Sequence, residues 1–353
     1  MNIDYIKLQD LTAGNNSNLI HFLNTVLNHS VDKKVWSWEF ESIPKTIFTV
    51  AMAGEEIAGT QSMLPVFLNI NDSIYETAKS ETSFLNPVFR GKKIFEKLYQ
   101  LAVDETVMNG TKLIWGFTPA LKAWKNNLGF ETFDDEIRVA SVYVKYFPLR
   151  SNYKKSRNLI FAFGKYIVTN RKIAKNYFRL KALSKDFPKL EVSSRLKNEN
   201  DLEELYNRID VGKVHLDLNA SYLNWRINNN PVIQYRSLFF YNEDQMVGYV
   251  IYSIREGNLH ITDLTCDEIY IAEAHIIQYL LTNIEHFFKM SYWGNISHKR
   301  NKKIFSLFEK LGATVQIDTS RNFVYKNIST NAEVVSSLGN WYINGLWTEG
   351  FHI

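Results

Sequence analysis

Cysteine is nearly absent from this 353-residue chain, Cys266 being the only one. A lone cysteine excludes an intramolecular disulfide and a multi-cysteine zinc site, and it fits a reducing compartment, so the cytoplasm is the expected location. No apolar run approaches 18 residues, and no membrane span is expected. The first ten residues, MNIDYIKLQD, carry Asp4 and Asp10 and contain no apolar segment of the secretory kind. The eight histidines are scattered, without His-Glu-x-x-His or Cys-x-x-Cys spacing, so no metal site is expected. A Gly-x-Ser-x-Gly elbow and a Gly-x-x-x-x-Gly-Lys loop are both missing, which removes serine-hydrolase and nucleoside-triphosphatase chemistry.

What is present is an ordinary globular composition, 45% hydrophobic and 22% charged, with 16 Gly and 7 Pro. A chain of this length is expected to form two cores. The net charge of +4 hides an asymmetry. From Arg150 to Lys189 there are twelve basic residues and one acid, Asp186, so this segment carries +11 and the remainder −7.

Apolar spacing predicts helices over 16–26 and 95–108, and strands over 46–51, 57–64, 75–85 and 112–117, with Gly54-Glu55-Glu56 as a hairpin turn. A short helix closes at Leu128-Gly129, the glycine serving as its C-cap. After residue 200 the same order recurs. Trp38 is followed six residues later by Pro44, and Trp225 six residues later by Pro231. Trp38 stands 21 residues before Gly59, and Trp225 stands 23 before Gly248. A helix expected over 272–288, a strand over 291–296 and a helix ending at Leu311-Gly312 complete the parallel. The two halves are expected to share one α/β fold.

The stretch Phe84 to Leu98 carries the most chemistry. A strand ends at Asn86-Pro87-Val88-Phe89, a basic turn Arg90-Gly91-Lys92-Lys93 follows, and an amphipathic helix opens with Ile94 and Phe95. Free backbone N–H groups and the positive helix end converge there, an arrangement suited to an anion. Arg90, Lys92 and Lys93 add charge that suits a phosphate-bearing ligand.

This stretch resembles the pyrophosphate loop of the GNAT acyltransferase superfamily, Arg/Gln-x-x-Gly-x-Gly/Ala between a strand and a helix. Lys93 and Phe95 stand where that motif has its small residues. Thr118 to Phe130 further resembles the family's next helix, with Trp124 in its aromatic place and Lys125 where a tyrosine general acid is frequent. The resemblance covers residues 1 to about 140 and is fold-level beyond. It implies an α/β (α+β) architecture of two tandem GNAT-like domains, each a mixed, mostly antiparallel sheet flanked by helices, joined by a basic helical segment. The implied boundaries are 1–147 for an acyl-CoA-binding domain, 148–195 for the linker and 196–353 for a degenerate domain that shapes the acceptor site.

The resemblance also implies acetyl-CoA as acyl donor, with Ser83, Phe84 and Leu85 offering backbone groups to its pantetheine arm and Arg90, Gly91, Lys92, Lys93, Ile94 and Phe95 holding its phosphates. Glu81, on the same strand, is the candidate base, or else an exposed strand carboxylate paired with Lys79 or with solvent. Lys125 either stabilises the leaving thiolate or the phosphates, or is simply solvated. His298-Lys-Arg-Asn-Lys-Lys echoes the loop, but by order it belongs to the later helix, so the second half lacks a cofactor loop.

Tyr222-Leu-Asn-Trp225-Arg226 is similar to a segment of tandem GNAT proteins in cell-surface polysaccharide gene sets. Trp38, Trp225 and Arg226 are accordingly candidate acceptor contacts, against a core role for Trp225 and a surface ion pair for Arg226. Residues 157–182 space their apolar side chains as one helical face. That segment either packs between the domains, rests on an anionic membrane surface, or attracts a phosphorylated or lipid-linked substrate. The expected activity is acetyl transfer to a small-molecule amine, such as a nucleotide- or lipid-linked amino sugar of surface polysaccharide assembly, with nucleic acid not expected as partner. The alternatives are a Fem-type aminoacyl-tRNA-dependent transferase and a non-catalytic GNAT-fold binding protein.

Overall fold

The computed structural model describes residues 2–8, 15–26, 31–133, 136–144 and 189–348, with 171, 173–175 and 178 between them. Residues 157–182, read from the sequence as a basic amphipathic helix, lie almost wholly outside the described residues. The chain forms two mixed sheets flanked by helices. In the first half the strands are β1 (Asp4–Lys7), β2 (Ile47–Ala53), β3 (Glu56–Ile70), β4 (Ser73–Leu85), β5 (Leu113–Thr118), β6 (Glu131–Phe133) and β7 (Ile137–Tyr143). The second half contributes β8 (Glu191–Ser193), β9 (Val214–Leu216), β10 (Tyr235–Asn242), β11 (Gln245–Arg255), β12 (Asn258–Cys266), β13 (Lys289–Asn295), β14 (Thr314–Ile317) and β15 (Asn322–Asn327).

The two sheets exchange a strand. The first runs β1-β2-β3-β4-β5-β15-β6, and the second runs β14-β7-β13-β12-β11-β10-β8. β15 thus lies between β5 and β6, with Val324 opposite Gly116, while β7 lies between β13 and β14, with Ala140 opposite Tyr292 and Val315. Each sheet has one parallel pair at its centre, β4 with β5 and β12 with β13. β9 adds to the far end of β3. Sheet hydrogen bonding therefore joins the halves, and one apolar core runs through both, including Leu68, Trp115, Val214, Trp293, Phe323, Trp341 and Trp347.

Equivalent positions behave alike. A Cβ on Gly59 would sit 2.8 Å from the carbonyl oxygen of Phe84, and one on Gly248 would sit 3.1 Å from that of Thr265. Both glycines are therefore set by the close crossing of neighbouring strands. Just beyond, Asn86 N–H donates to Ala58 O at 2.9 Å and Asp267 N–H to Val247 O at 2.8 Å. The side chains of Asn86 and Asp267 then each accept from the backbone N–H two residues on, at 3.2 Å in both cases.

Some boundaries differ from the sequence expectation. β3 runs on to Ile70, because its far end gains β9 as a partner. The helix expected over 272–288 spans Glu273–Asn283. Ile284 is already extended and His286 has φ 66°, which turns the chain so that Phe287 enters the core.

Candidate functional site

β4 and β5 pair only from Ala78 with Ile114 to Ser80 with Gly116, and beyond that they part. A bulge makes the parting possible. On β3 the partners step from Thr60 to Ser62, while on β4 they step from Phe84 to Glu81, so Gln61 stands opposite both Thr82 and Ser83. Thr82 has φ 45°, a costly conformation for a β-branched residue. Buried side chains hold it there: Gln61 Nε2 donates to Ser80 Oγ at 3.0 Å, Ser83 Oγ to Gln61 Oε1 at 2.5 Å, and Thr82 Oγ1 to Ser62 Oγ at 2.7 Å.

The loop after β4 is anchored by Phe89, buried beside Ile94 and Leu98. Gly91 follows at φ 78°, then Lys93 at φ 55° as the N-cap of the helix Ile94–Met108, with no side-chain cap bond. The first-turn N–H groups of that helix are thus left for another acceptor. Lys93 occupies a left-handed position that a glycine would adopt without cost, at a penalty of about 1 kcal/mol.

These elements surround a cleft of about 1100 Å³. Glu81, Ser83, Phe84, Leu85, Arg90, Gly91, Lys93, Ile94 and Phe95 all line it. Lys92 does not; its ammonium lies over the ring of Phe89, 5.6 Å from the centroid. Lys125 is exposed on the helix Leu121–Leu128 and does not line the cleft, whereas its neighbour Trp124 does, packed edge-on against Tyr99 and Phe130 at 5.0 and 4.9 Å. The far wall comes from the second half, as Ser320, Arg321 and Thr348. Strand exchange puts Ser320 and Arg321 there, since the turn before β15 reaches the end of β5, where Asn322 pairs with Thr118, and Thr348 follows the turn Gly345–Trp347. Arg321 is held by Asp318 at 3.2 Å, and its guanidinium lies 5.9 Å from the Trp293 ring.

Trp38, Trp225 and Arg226 are brought together, but in a separate small chamber between the halves, with Glu39, Lys79, Trp115, Tyr222 and Trp347. The two tryptophans stack with centroids 5.6 Å apart. Trp38 Nε1 donates to Trp225 O at 2.9 Å, and Trp225 Nε1 to Trp38 O at 3.0 Å. Arg226 is buried, donates to the Thr348 carbonyl and lies 5.5 Å from the Tyr235 ring. It is not at the surface, as the ion-pair reading from the sequence supposed, because the π-helical turn Asn224–Asn228 that carries it is packed between the halves.

The same place in the second half is closed. Asp263 faces Ile251, three residues past Gly248, just as Glu81 faces Ser62, three past Gly59. Yet Asp263 is fully buried and accepts from Tyr249 at 2.5 Å and Tyr342 at 2.7 Å, and burial pushes its carboxyl above the ordinary value. The loop after β12 has neither glycine nor basic residue, and its acids Asp267 and Glu268 disfavour an anion. The space where β12 and β13 part is filled by the chain itself: Asn344 bridges to Gly294, Asn295 N–H donates to Ile343 O at 3.3 Å, and a Cβ on Gly345 would lie 2.9 Å from Thr262 O. Arg300 Nη2 takes the Cys266 carbonyl at 2.7 Å. His298 caps the helix Lys299–Lys310, so the basic run there belongs to a helix and not to a phosphate loop.

Among the described residues no group of three or more His, Cys, Asp or Glu could hold a metal ion, and no helix is long and apolar enough to cross a membrane. Cys266 is buried, and its thiol is pushed well up by burial, which removes it as a nucleophile.

No protein-family model matches the sequence, and no curated protein matches it significantly. Solved structures do match in fold. A protein from Enterococcus faecalis V583 described as a probable N-acyltransferase aligns with TM-score 0.65 at 12% identity, over 93% of this chain and 72% of that one. A GCN5-related N-acetyltransferase from Anabaena variabilis aligns with TM-score 0.60 at 13% identity, over 93% and 73%. A tandem GNAT protein from the clavulanic acid biosynthesis pathway, solved without AcCoA, aligns with TM-score 0.52 at 11% identity, over 94% of this chain and all of that one. The fold is thus that of the GNAT N-acetyltransferases, in tandem.

Sequence reading alone missed the strand exchange, the chain-filled second cleft and the role of Ser320, Arg321 and Thr348 in the far wall; it did name the Glu81–Lys79 pair, though as an exposed one, whereas both side chains are largely buried. The Lys79-Ser80-Glu81 alternation was the signal for that pair, since residues two apart on a strand share a face.

Proposed function

We propose that the protein is an acyl-CoA-dependent N-acyltransferase that moves acetyl from acetyl-CoA to a primary amine, with an amino sugar of surface polysaccharide assembly as the favoured acceptor class. The observation that carries the reading is the contrast between the halves: one parted strand pair is open and followed by a basic glycine turn, and its counterpart is filled and followed by acids. In this reading residues 1–147 bind the donor, 148–195 link, and 196–353 complete the acceptor side.

Backbone N–H groups of β4 past the bulge polarise the thioester carbonyl, and Arg90, Lys93 and the free N–H groups of the helix start hold the phosphates. The amine attacks the carbonyl carbon, its proton passes to Glu81, directly or through one water, and the C–S bond breaks to release CoA thiolate, which takes up a proton. The likeness in fold to structures named as N-acyltransferases and N-acetyltransferases supports the reaction class. Free-thiol release from acetyl-CoA, measured against a panel of amino sugars and nucleotide-linked amino sugars, tests it. Turnover that depends on both substrates is expected; binding of acetyl-CoA without turnover on any amine would favour a non-catalytic role, and no binding would favour an aminoacyl-tRNA donor.

A further inference from the structure

Along β4 the side chains alternate between two environments. Ala78 and Ser80 face the helix Ile94–Met108, Ala78 packing with Tyr99. Thr77 faces the other way, where its Oγ1 accepts from Trp115 Nε1 at 3.0 Å, and Trp115 in turn packs 4.7 Å from Trp347 of the second half. Lys79 and Glu81 share that second face. Lys79 is the last of this series still paired to β5, opposite Trp115, and Glu81 is the first residue past the point of parting.

The two form an ion pair, with side chains only 8% and 14% exposed. Lys79 lines the tryptophan chamber, with its ammonium 5.9 Å from the Trp115 centroid, and Glu81 lines the open cleft. The pair therefore forms the wall between the two cavities. A buried ammonium is costly and persists only where it is matched by charge and by aromatic faces, as it is here. An exposed stretch of β4 would need neither.

We propose that Lys79 is a positioning residue for acyl transfer: anchored in the inter-half chamber, it fixes the Glu81 carboxylate toward the cleft and ties its ionisation to the docking of the second half. This rests on the acyltransferase reading above. The charged groups around the pair are Glu39 and Arg226 in the chamber, Arg90, Lys93 and Glu96 from the loop and helix start, and Arg321 from the far wall. Lys79 is in direct ion-pair contact with Glu81. An adjacent ammonium favours the carboxylate over the carboxylic acid, so its removal makes Glu81 take up a proton at higher pH.

The test compares wild type, Lys79→Met, Lys79→Arg and Glu81→Gln in acetyl-CoA-dependent thiol release, with calorimetric titration of acetyl-CoA on each protein. The expected result is a kcat/KM at least tenfold lower for Lys79→Met with acetyl-CoA affinity within threefold of wild type, an acidic limb of the pH profile moved to higher pH, and recovery of most of both by Lys79→Arg. Glu81→Gln should lose the acidic limb altogether. A Lys79→Met protein that binds acetyl-CoA and keeps the wild-type pH profile overturns the proposal while leaving the acyltransferase reading intact. If Lys79→Met does not fold, an unshifted limb in Lys79→Gln overturns it equally. Wild-type protein that binds acetyl-CoA without turnover, or does not bind it, overturns the reading on which it rests.

Discussion

Trp38 and Trp225 each donate an indole N–H to the other's backbone carbonyl, at 2.9 and 3.0 Å, across the junction of the two halves. The two residues sit in matching π-helical turns, Ser37–Glu41 and Asn224–Asn228, just before β2 and β10. Such reciprocity needs a local twofold relation between duplicated elements. It turns a repeat in the sequence into an interface, and the side chains that mark the repeat become the ones that join its copies.

Trp38→Ala should therefore destabilise the protein by about 3–5 kcal/mol, the range for a large buried aromatic. Because each partner supplies both a ring and an acceptor, the double variant Trp38→Ala, Trp225→Ala should cost less than the sum of the singles by more than 0.5 kcal/mol. Urea denaturation of the four proteins measures this. Strict additivity would contradict a coupled pair.

At Lys93, stability and binding should move in opposite directions. Lys93→Gly removes the cost of φ 55° and should add about 1 kcal/mol of stability without ligand. The same change removes a cation from the cleft and should weaken acetyl-CoA binding. Thermal denaturation with and without ligand reads both effects.

Lys125→Ala should leave turnover within about twofold of wild type, since Lys125 is exposed on the outer side of its helix and away from the cleft. Steady-state kinetics suffice, and a drop of tenfold or more would restore the role expected from its place in the sequence motif.

His298 sets a pH dependence. Burial, reinforced by the nearby Arg300 and Lys299, lowers its imidazole from 6.5 to about 3. The unfolded chain takes up a proton as pH falls through 6.5, but the fold does not until about 3. Stability is therefore lost between those values on acidification, with a slope of up to about 1.4 kcal/mol per pH unit from this group. His260, lowered to about 4 by burial with Arg255 and Lys289, acts in the same direction. His298→Asn keeps a capping side chain and should flatten the slope of melting temperature against pH by about one proton; an unchanged slope would contradict the assignment.

Local features were legible in the sequence wherever the cause is local. The glycine at 91, the cap at Gly129 and the strand-turn-helix order around Arg90 follow from backbone chemistry and apolar spacing. The duplication showed through Trp38, Gly59 and their counterparts, since a π-turn and a close strand crossing demand particular residues. The exchange of β7 and β15 was not legible, because a strand of the right alternation fits either sheet and only the global packing chooses. Nor was the closure of the second cleft, which depends on Asn344 and Gly345 meeting Gly294 and Thr262 from far along the chain. The Lys79–Glu81 pair was legible from residues two apart on one strand, but its burial was not, because that depends on Trp115 and the second half.

The central claim is one open acyl-CoA cleft per chain, in the first half. Calorimetric titration of acetyl-CoA into the wild-type protein and into Arg90→Ala, Lys93→Gly tests it most directly. One site per chain, weakened at least tenfold in the variant, is the predicted result. Two sites per chain, or an affinity indifferent to both substitutions, would contradict the account.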